Sequence, residues 1–235
     1  MLYLINRVQV TGFPQDLINP IRQCITSTLG PIQTELDDFG AHDFRFQGGL
    51  QTMLNQTKER AKSRKFTLEL FKCMLKHGWS FIQATPTMGR NTLQLDTMFF
   101  EKSTKAFVQG KNDVEPDKLF AIGFDNRNCI RIIDAPEAIT TLVRDAILKR
   151  WKGESEILHA SVDVDGSVEF QLKSAPFGDF SVENAVNFQL LLGQILANIK
   201  TANYKLYAAV DSSGVNSNPD LPTWVFRKGD PSAST

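Results

Sequence analysis

The chain repeats itself, and that repeat limits its fold more than any other feature. Phe66 to Lys102 reads as one helix, a short turn and two strands: FTLELFKCMLKHG, WSFIQAT and LDTMFFEK. The same unit recurs near the C-terminus as NFQLLLGQILANIKTAN, YKLYAAVD and LPTWVFRK. At an offset of 125, Phe66 falls on Leu191, Leu70 on Ile195, Phe71 on Leu196, Trp79 on Tyr204 and Phe81 on Leu206. At 126, Leu95 meets Leu221, Thr97 meets Thr223, Phe100 meets Phe226 and Lys102 meets Lys228. An earlier stretch, RVQVTGFPQDLINPIRQCI, lies over CIRIIDAPEAITTLVRDAI at 122, with Pro14 on Pro136 and Arg22 on Arg144. A period this long exceeds that of a solenoid repeat, so the repeated object is a small domain.

Each copy has the pattern (β)βα-ββ-α-ββ. That predicts an α+β class with internal duplication, each unit an antiparallel sheet carrying two helices on one face. The expected boundaries are 1–103 for the first unit, 104–117 for a polar linker, 118–230 for the second unit and 231–235 for a disordered tail. With 235 residues, 42% hydrophobic and 22% charged, two units near the usual domain size can each bury a core.

Local signals fill in the pattern. Residues 2–10 alternate as one strand. The first helix should turn Leu17, Ile21, Ile25 and Leu29 inward, with Asn19 as N-cap and Pro20 at its first position. Residues 32–48 read as two strands around Asp37, Asp38 and Gly40, closed by Gly48 and Gly49, and 50–65 as a connector. In the second copy, LFAIGF and CIRIID flank a turn-forming run at 125–128. Asp134 is placed to cap the next helix, whose stripe is Ile139, Leu142, Val143, Ala146, Ile147 and Trp151. Strands at 156–163 and 167–173 should meet at Asp165-Gly166. Leu190, Leu191 and Leu192 in succession suggest a deeply buried fourth helix starting near Val182.

No window is apolar for long enough to suggest a transmembrane segment. The N-terminus reads as a strand and not a signal peptide. Cys24, Cys73 and Cys129 are odd in number and far apart, which favours a reducing, intracellular and cytoplasmic setting. Net charge is zero. Residues 1–113 carry 14 basic and 10 acidic side chains, a net +4, and residues 114–235 carry 12 and 16, a net −4. The opposite signs suit pseudo-symmetric packing of the two repeats within one chain.

The search for chemistry returns little. His42, His77 and His159 have no Cys or His at ligand spacing. Asp163-Val164-Asp165-Gly166 opens like a calcium loop but lacks the third ligand and the closing glutamate. Cys73 and His77 share a helix face, as packing residues also would. There is no nucleophile elbow and no phosphate loop. No cofactor, metal or catalytic residue is therefore expected, and the balance leans away from an enzyme.

Three readings follow. The first is a non-enzymatic adaptor or scaffold that binds a protein partner through an exposed sheet face or interdomain groove. Phe99, Phe100, Trp224 and Phe226 are its candidate residues, because one helix layer leaves the other sheet face to be covered. The second is an anion-binding module for nucleic acid or anionic lipid, using Lys58, Arg60, Lys62, Arg64 and Lys65. The third is an enzyme with scattered site residues in an interdomain cleft.

Overall fold

A computed structural model describes residues 2–4, 7–46, 56–85, 94–103, 118–125, 128–151, 157–162, 166–173, 181–211 and 222–229. The linker, the Gly48-Gly49 stop, Asp163 to Asp165 and the tail lie outside the described residues, as does the side chain of Lys58.

The described chain forms two compact units, and the second begins at Lys118. The first carries β1 (Leu2–Leu4), β2 (Arg7–Thr11), α1 (Ile18–Thr28), β3 (Ile32–Asp38), β4 (Ala41–Phe46), α2 (Gln56–Lys76), β5 (Trp79–Thr85) and β6 (Gln94–Lys102). The second carries β7 (Leu119–Asp125), β8 (Cys129–Ile133), α3 (Glu137–Arg150), β9 (Ile157–Val162), β10 (Val168–Leu172), α4 (Val182–Thr201), β11 (Tyr204–Val210) and β12 (Thr223–Lys228). Both are ββαββαββ. The first sheet runs β3-β4-β2-β1-β6-β5, and the second β9-β10-β8-β7-β12-β11, the same order element for element. The described strand pairs are antiparallel in both sheets. The fold is α+β with an internal duplication.

Corner geometry repeats as well. Leaving α2, Gly78 has a φ of 78° and its carbonyl accepts the Ser103 N–H at 2.8 Å. Leaving α4, Asn203 has a φ of 61° and its carbonyl accepts the Gly229 N–H at 2.6 Å, while its Nδ2 donates to the Gly229 carbonyl at 3.0 Å. Both residues need the left-handed region, which glycine and asparagine tolerate best. A Cβ on Gly229 would lie 2.7 Å from the Asn203 side-chain oxygen, so a larger residue there requires that side chain to shift.

Each core lies between its helix pair and its sheet. In the second unit it gathers Phe120, Ile122, Phe124, Ile130 and Ile132 from the sheet, with Ile139, Val143, Ile147, Trp151, Leu191, Ile195 and Ile199 from the helices. In the first, Leu17, Ile21, Ile25 and Leu29 are buried as their spacing predicts, against Phe44, Phe66, Leu70 and Phe71.

Several local expectations need correction. Residues 2–10 are two strands, not one; they pair as a hairpin with Leu2 opposite Gln9 and Leu4 opposite Arg7. The first helix does not wait for an Asn19 cap: a 3₁₀ turn at Gln15–Leu17 leads into α1 at Ile18. Pro20 is then the third α-helical residue, among the first four, whose N–H groups lack helical acceptors. Asp134 does not hold the N-cap position. It adopts a φ of 55°, and Pro136 holds the N-cap position of α3. Residues 56–65 are not a connector but the first turns of α2. Lys, Arg, Glu and Ala are good helix formers, and no Gly or Pro interrupts them.

Along β7 and β8 every residue is buried, including Ala121, Cys129 and Ile133, which point away from α3 and α4. No helix among the described residues is long and apolar enough to cross a membrane.

Candidate interaction surface

The four strand residues proposed from sequence divide by face. Phe226 is 1% exposed and stacks on Phe120 with ring centroids 4.9 Å apart and planes within 9°. Trp224, on the same side, packs edge-on to Phe124 at 5.1 Å and is half-buried. Phe100, the counterpart of Phe226, sits 5.7 Å from Phe71 of α2. These three rings belong to the layer between sheet and helices, because alternation carries residues 224, 226 and 100 to the helix side. Phe99, on the opposite face, is 41% exposed. Ile82, beside it at the register shift between Phe81 and Gln83, is exposed too.

The basic run also divides. It lies on α2, and Arg60 and Arg64, one turn apart, are buried. Lys62 is exposed and Lys65 half-buried. The run is therefore not one continuous cationic face.

The largest departure from expectation is α4. Of its three consecutive leucines only Leu191 is fully buried, because successive helical residues turn by about 100° and cannot share one face. Leu191, Ile195 and Ile199 point into the core. Val182, Val186 and Leu190 point outward, at 80%, 48% and 49% exposure. Ala185, Gln189, Gly193 and Ala197 are exposed beside them. Rows spaced by four residues form the ridges by which helices pack. Here one ridge is apolar (182, 186, 190) and the next is small or polar (189, 193, 197). No charged residue occurs between Glu183 and Lys200. The helix itself is well anchored: Ser181 caps it by accepting the Asn184 N–H, and Asn198 Nδ2 donates to the Leu142 carbonyl of α3 at 2.9 Å.

The other copy treats the equivalent face differently. At the offset of 125, Val186 corresponds to Ala61, Gln189 to Arg64 and Gly193 to Leu68. Ala61, Arg64 and Leu68 are all buried in the folded chain. The same helix face is thus covered on α2 and bare on α4.

Charged clusters inside the units are paired. Arg131 is fully buried on the sheet side away from the helices; its Nε donates to Asp125 at 3.0 Å, and one Nη to the Ser167 hydroxyl at 3.0 Å. It also forms an ion pair with Glu169. The first unit echoes this with Arg7 and Asp43 on β2 and β4, 2.5 Å apart. Arg22 grips both oxygens of Glu35 at 2.6 and 2.7 Å, and His42 lies between Glu35 and Asp37. The Arg22 hydrogen bonds, with help from His42, hold the Glu35 carboxyl below its ordinary range. Among the described residues no group of three or more His, Cys, Asp or Glu is placed to hold a metal.

Sequence reasoning missed the α4 face, reading the leucine run as wholly buried. The signal available was the absence of charge through 184–199 combined with a 3.6-residue period that buries only every fourth position.

The class defined by fold and surface is a duplicated α+β chain with one uncharged helical face left bare. A family domain model matches it twice, over residues 2–101 and 118–227, and the chain belongs to that family, carrying its domain in duplicate. Neither comparison with characterised proteins nor comparison with solved structures returned a match.

Proposed function

We propose that this chain is a non-enzymatic adaptor or scaffold that docks an apolar helical segment of a protein partner on the outward face of α4. The observation that supports this reading is that face: Val182, Val186 and Leu190 are exposed on a helix without charge from 184 to 199. A helix face that meets only water normally carries charged and polar residues. The small residues Gly193 and Ala197 allow a second backbone to approach closely, and the apolar ridge beside them supplies the anchors. The burial of Ala61, Arg64 and Leu68 at the matching positions of α2 supports reading this face as one that takes a cover. The absence of cations on α4 between 184 and 199 favours a protein over nucleic acid or an anionic lipid surface. The anion-binding alternative is weakened by the burial of Arg60 and Arg64, two of the cations it relies on. Phe99 and Ile82 form a second, smaller apolar spot of the kind first sought on a sheet face.

The test is the double variant Val186→Asp with Leu190→Asp, compared with wild type for partner binding. Both residues are exposed, so unfolding stability should change by less than about 0.5 kcal/mol each. Partner affinity should fall by at least about thirtyfold, as for loss of interface anchors. Retained affinity would remove α4 as the site. A wild-type homodimer that the variant dissociates would make the occupant a second copy and overturn the heterologous partner.

A further inference from the structure

We infer that Cys24 and Cys73 form a redox-active thiol pair, which a hydroperoxide converts to a disulfide joining α1 to α2. The inference is independent of the α4 surface. Its basis is placement. Cys24 lies on α1, and its thiol donates to the Glu69 carbonyl of α2 at 3.7 Å. Cys73 is one helical turn beyond Glu69, on the same face of α2. Both thiols therefore lie at the α1–α2 interface, one helical turn apart along α2 and close enough to influence each other's ionisation. His77, a further turn on, places Nδ1 3.9 Å from the Cys73 sulfur while donating to the Cys73 carbonyl at 2.9 Å. Cys73 is itself 9% exposed, and the half-buried Cys24 and exposed His77 beside it mark the side from which a small oxidant reaches it.

The two sulfurs are unequal, as a nucleophile and its resolving partner must be. The neighbouring Cys24 thiol, together with His77 and Lys76, holds the Cys73 thiol below its ordinary value. The neighbouring Cys73, burial and the Glu69 carboxylate push Cys24 up, and its S–H is donated to the Glu69 carbonyl, so Cys24 keeps its proton. Thiolate is the reactive form of cysteine. The Cys73 thiolate attacks the hydroperoxide, the O–O bond breaks, and the alcohol leaves after taking a proton from solvent, giving Cys73 sulfenic acid. The Cys24 sulfur then attacks the Cys73 sulfur, forming the S–S bond. The displaced hydroxide takes the Cys24 proton and leaves as water. Two thiols are oxidised and one hydroperoxide is reduced, along the reversible part of the cysteine oxidation ladder.

The experiment treats the full chain with limiting hydrogen peroxide, quenches with an alkylating agent and maps linked peptides by mass spectrometry. The expected result is a Cys24–Cys73 crosslink with loss of two hydrogens, reversed by a dithiol reductant, with Cys129 still alkylatable. Cys24→Ser should instead accumulate a sulfenic acid on Cys73 that a dimedone probe traps. His77→Asn should slow Cys73 alkylation at neutral pH severalfold while leaving Cys129 unchanged. Equal oxidation of all three cysteines would overturn the proposal, as would a crosslink that forms only in denaturant. Cys73 reactivity indifferent to His77→Asn would remove the activating role of the histidine.

Discussion

Arg131 imposes the strictest local requirement in the second unit. A guanidinium with no solvent contact needs its charge met, and Asp125 and Glu169 meet it while Ser167 accepts one of its N–H groups. Removing one partner of a buried pair leaves an uncompensated charge. Asp125→Ala should therefore destabilise by about 3–5 kcal/mol in urea unfolding. A loss under about 1 kcal/mol would mean that water reaches the site. Glu35 sets a pH dependence of opposite character, partly exposed and tunable. Its folded-state pKa lies below its unfolded one, so its contribution is present above the unfolded value and is lost as pH falls through the folded one. Wild type should lose urea resistance from roughly pH 5 downward more steeply than Glu35→Gln. Equal slopes would show that the Arg22 grip does not persist in solution.

At the scale of elements, the sheet strands illustrate what alternation can and cannot decide. Period-2 alternation places Phe226 and Val225 on opposite faces of β12. It could not say which face the helices take. Val225, on the face opposite Phe226, is buried too. Phe226→Ala should cost about 3–5 kcal/mol, as for a large ring removed from a core. Phe99→Ala should change stability by less than about 0.5 kcal/mol. Thermal or urea unfolding of the two variants separates the faces; similar losses would contradict the assignment. The helices were legible to different degrees. The stripe of α3 was read correctly because its apolar residues recur at helical spacing and polar ones fill the gaps. The start of α2 was missed because a dense basic run mimics a solvated loop, although its residues favour helix. The outward face of α4 was missed because consecutive leucines suggest burial before their angular spread is drawn.

For the whole molecule, duplication was the most legible property. Pairs such as Phe66 with Leu191 and Phe100 with Phe226 occupy equivalent elements, and both sheets have one strand order. The repeat survives in sequence because core positions accept only a few side chains. The surfaces diverged freely, so function was less legible than fold. Ala61 and Val186 are both small and apolar, and nothing in their identity says that one is covered and the other bare. The copies differ at these positions: Ala61, Arg64 and Leu68 on α2 are buried, and Val186, Gln189 and Gly193 on α4 are exposed.

The most direct test places a photo-crosslinking amino acid at Val186 in the full-length chain inside its own cells, with Lys62 on α2 as the control position. One dominant protein adduct is expected from position 186, absent from position 62 and from a chain that also carries Leu190→Asp. No protein adduct at 186, or the same adducts at 186 and 62, would contradict docking on α4.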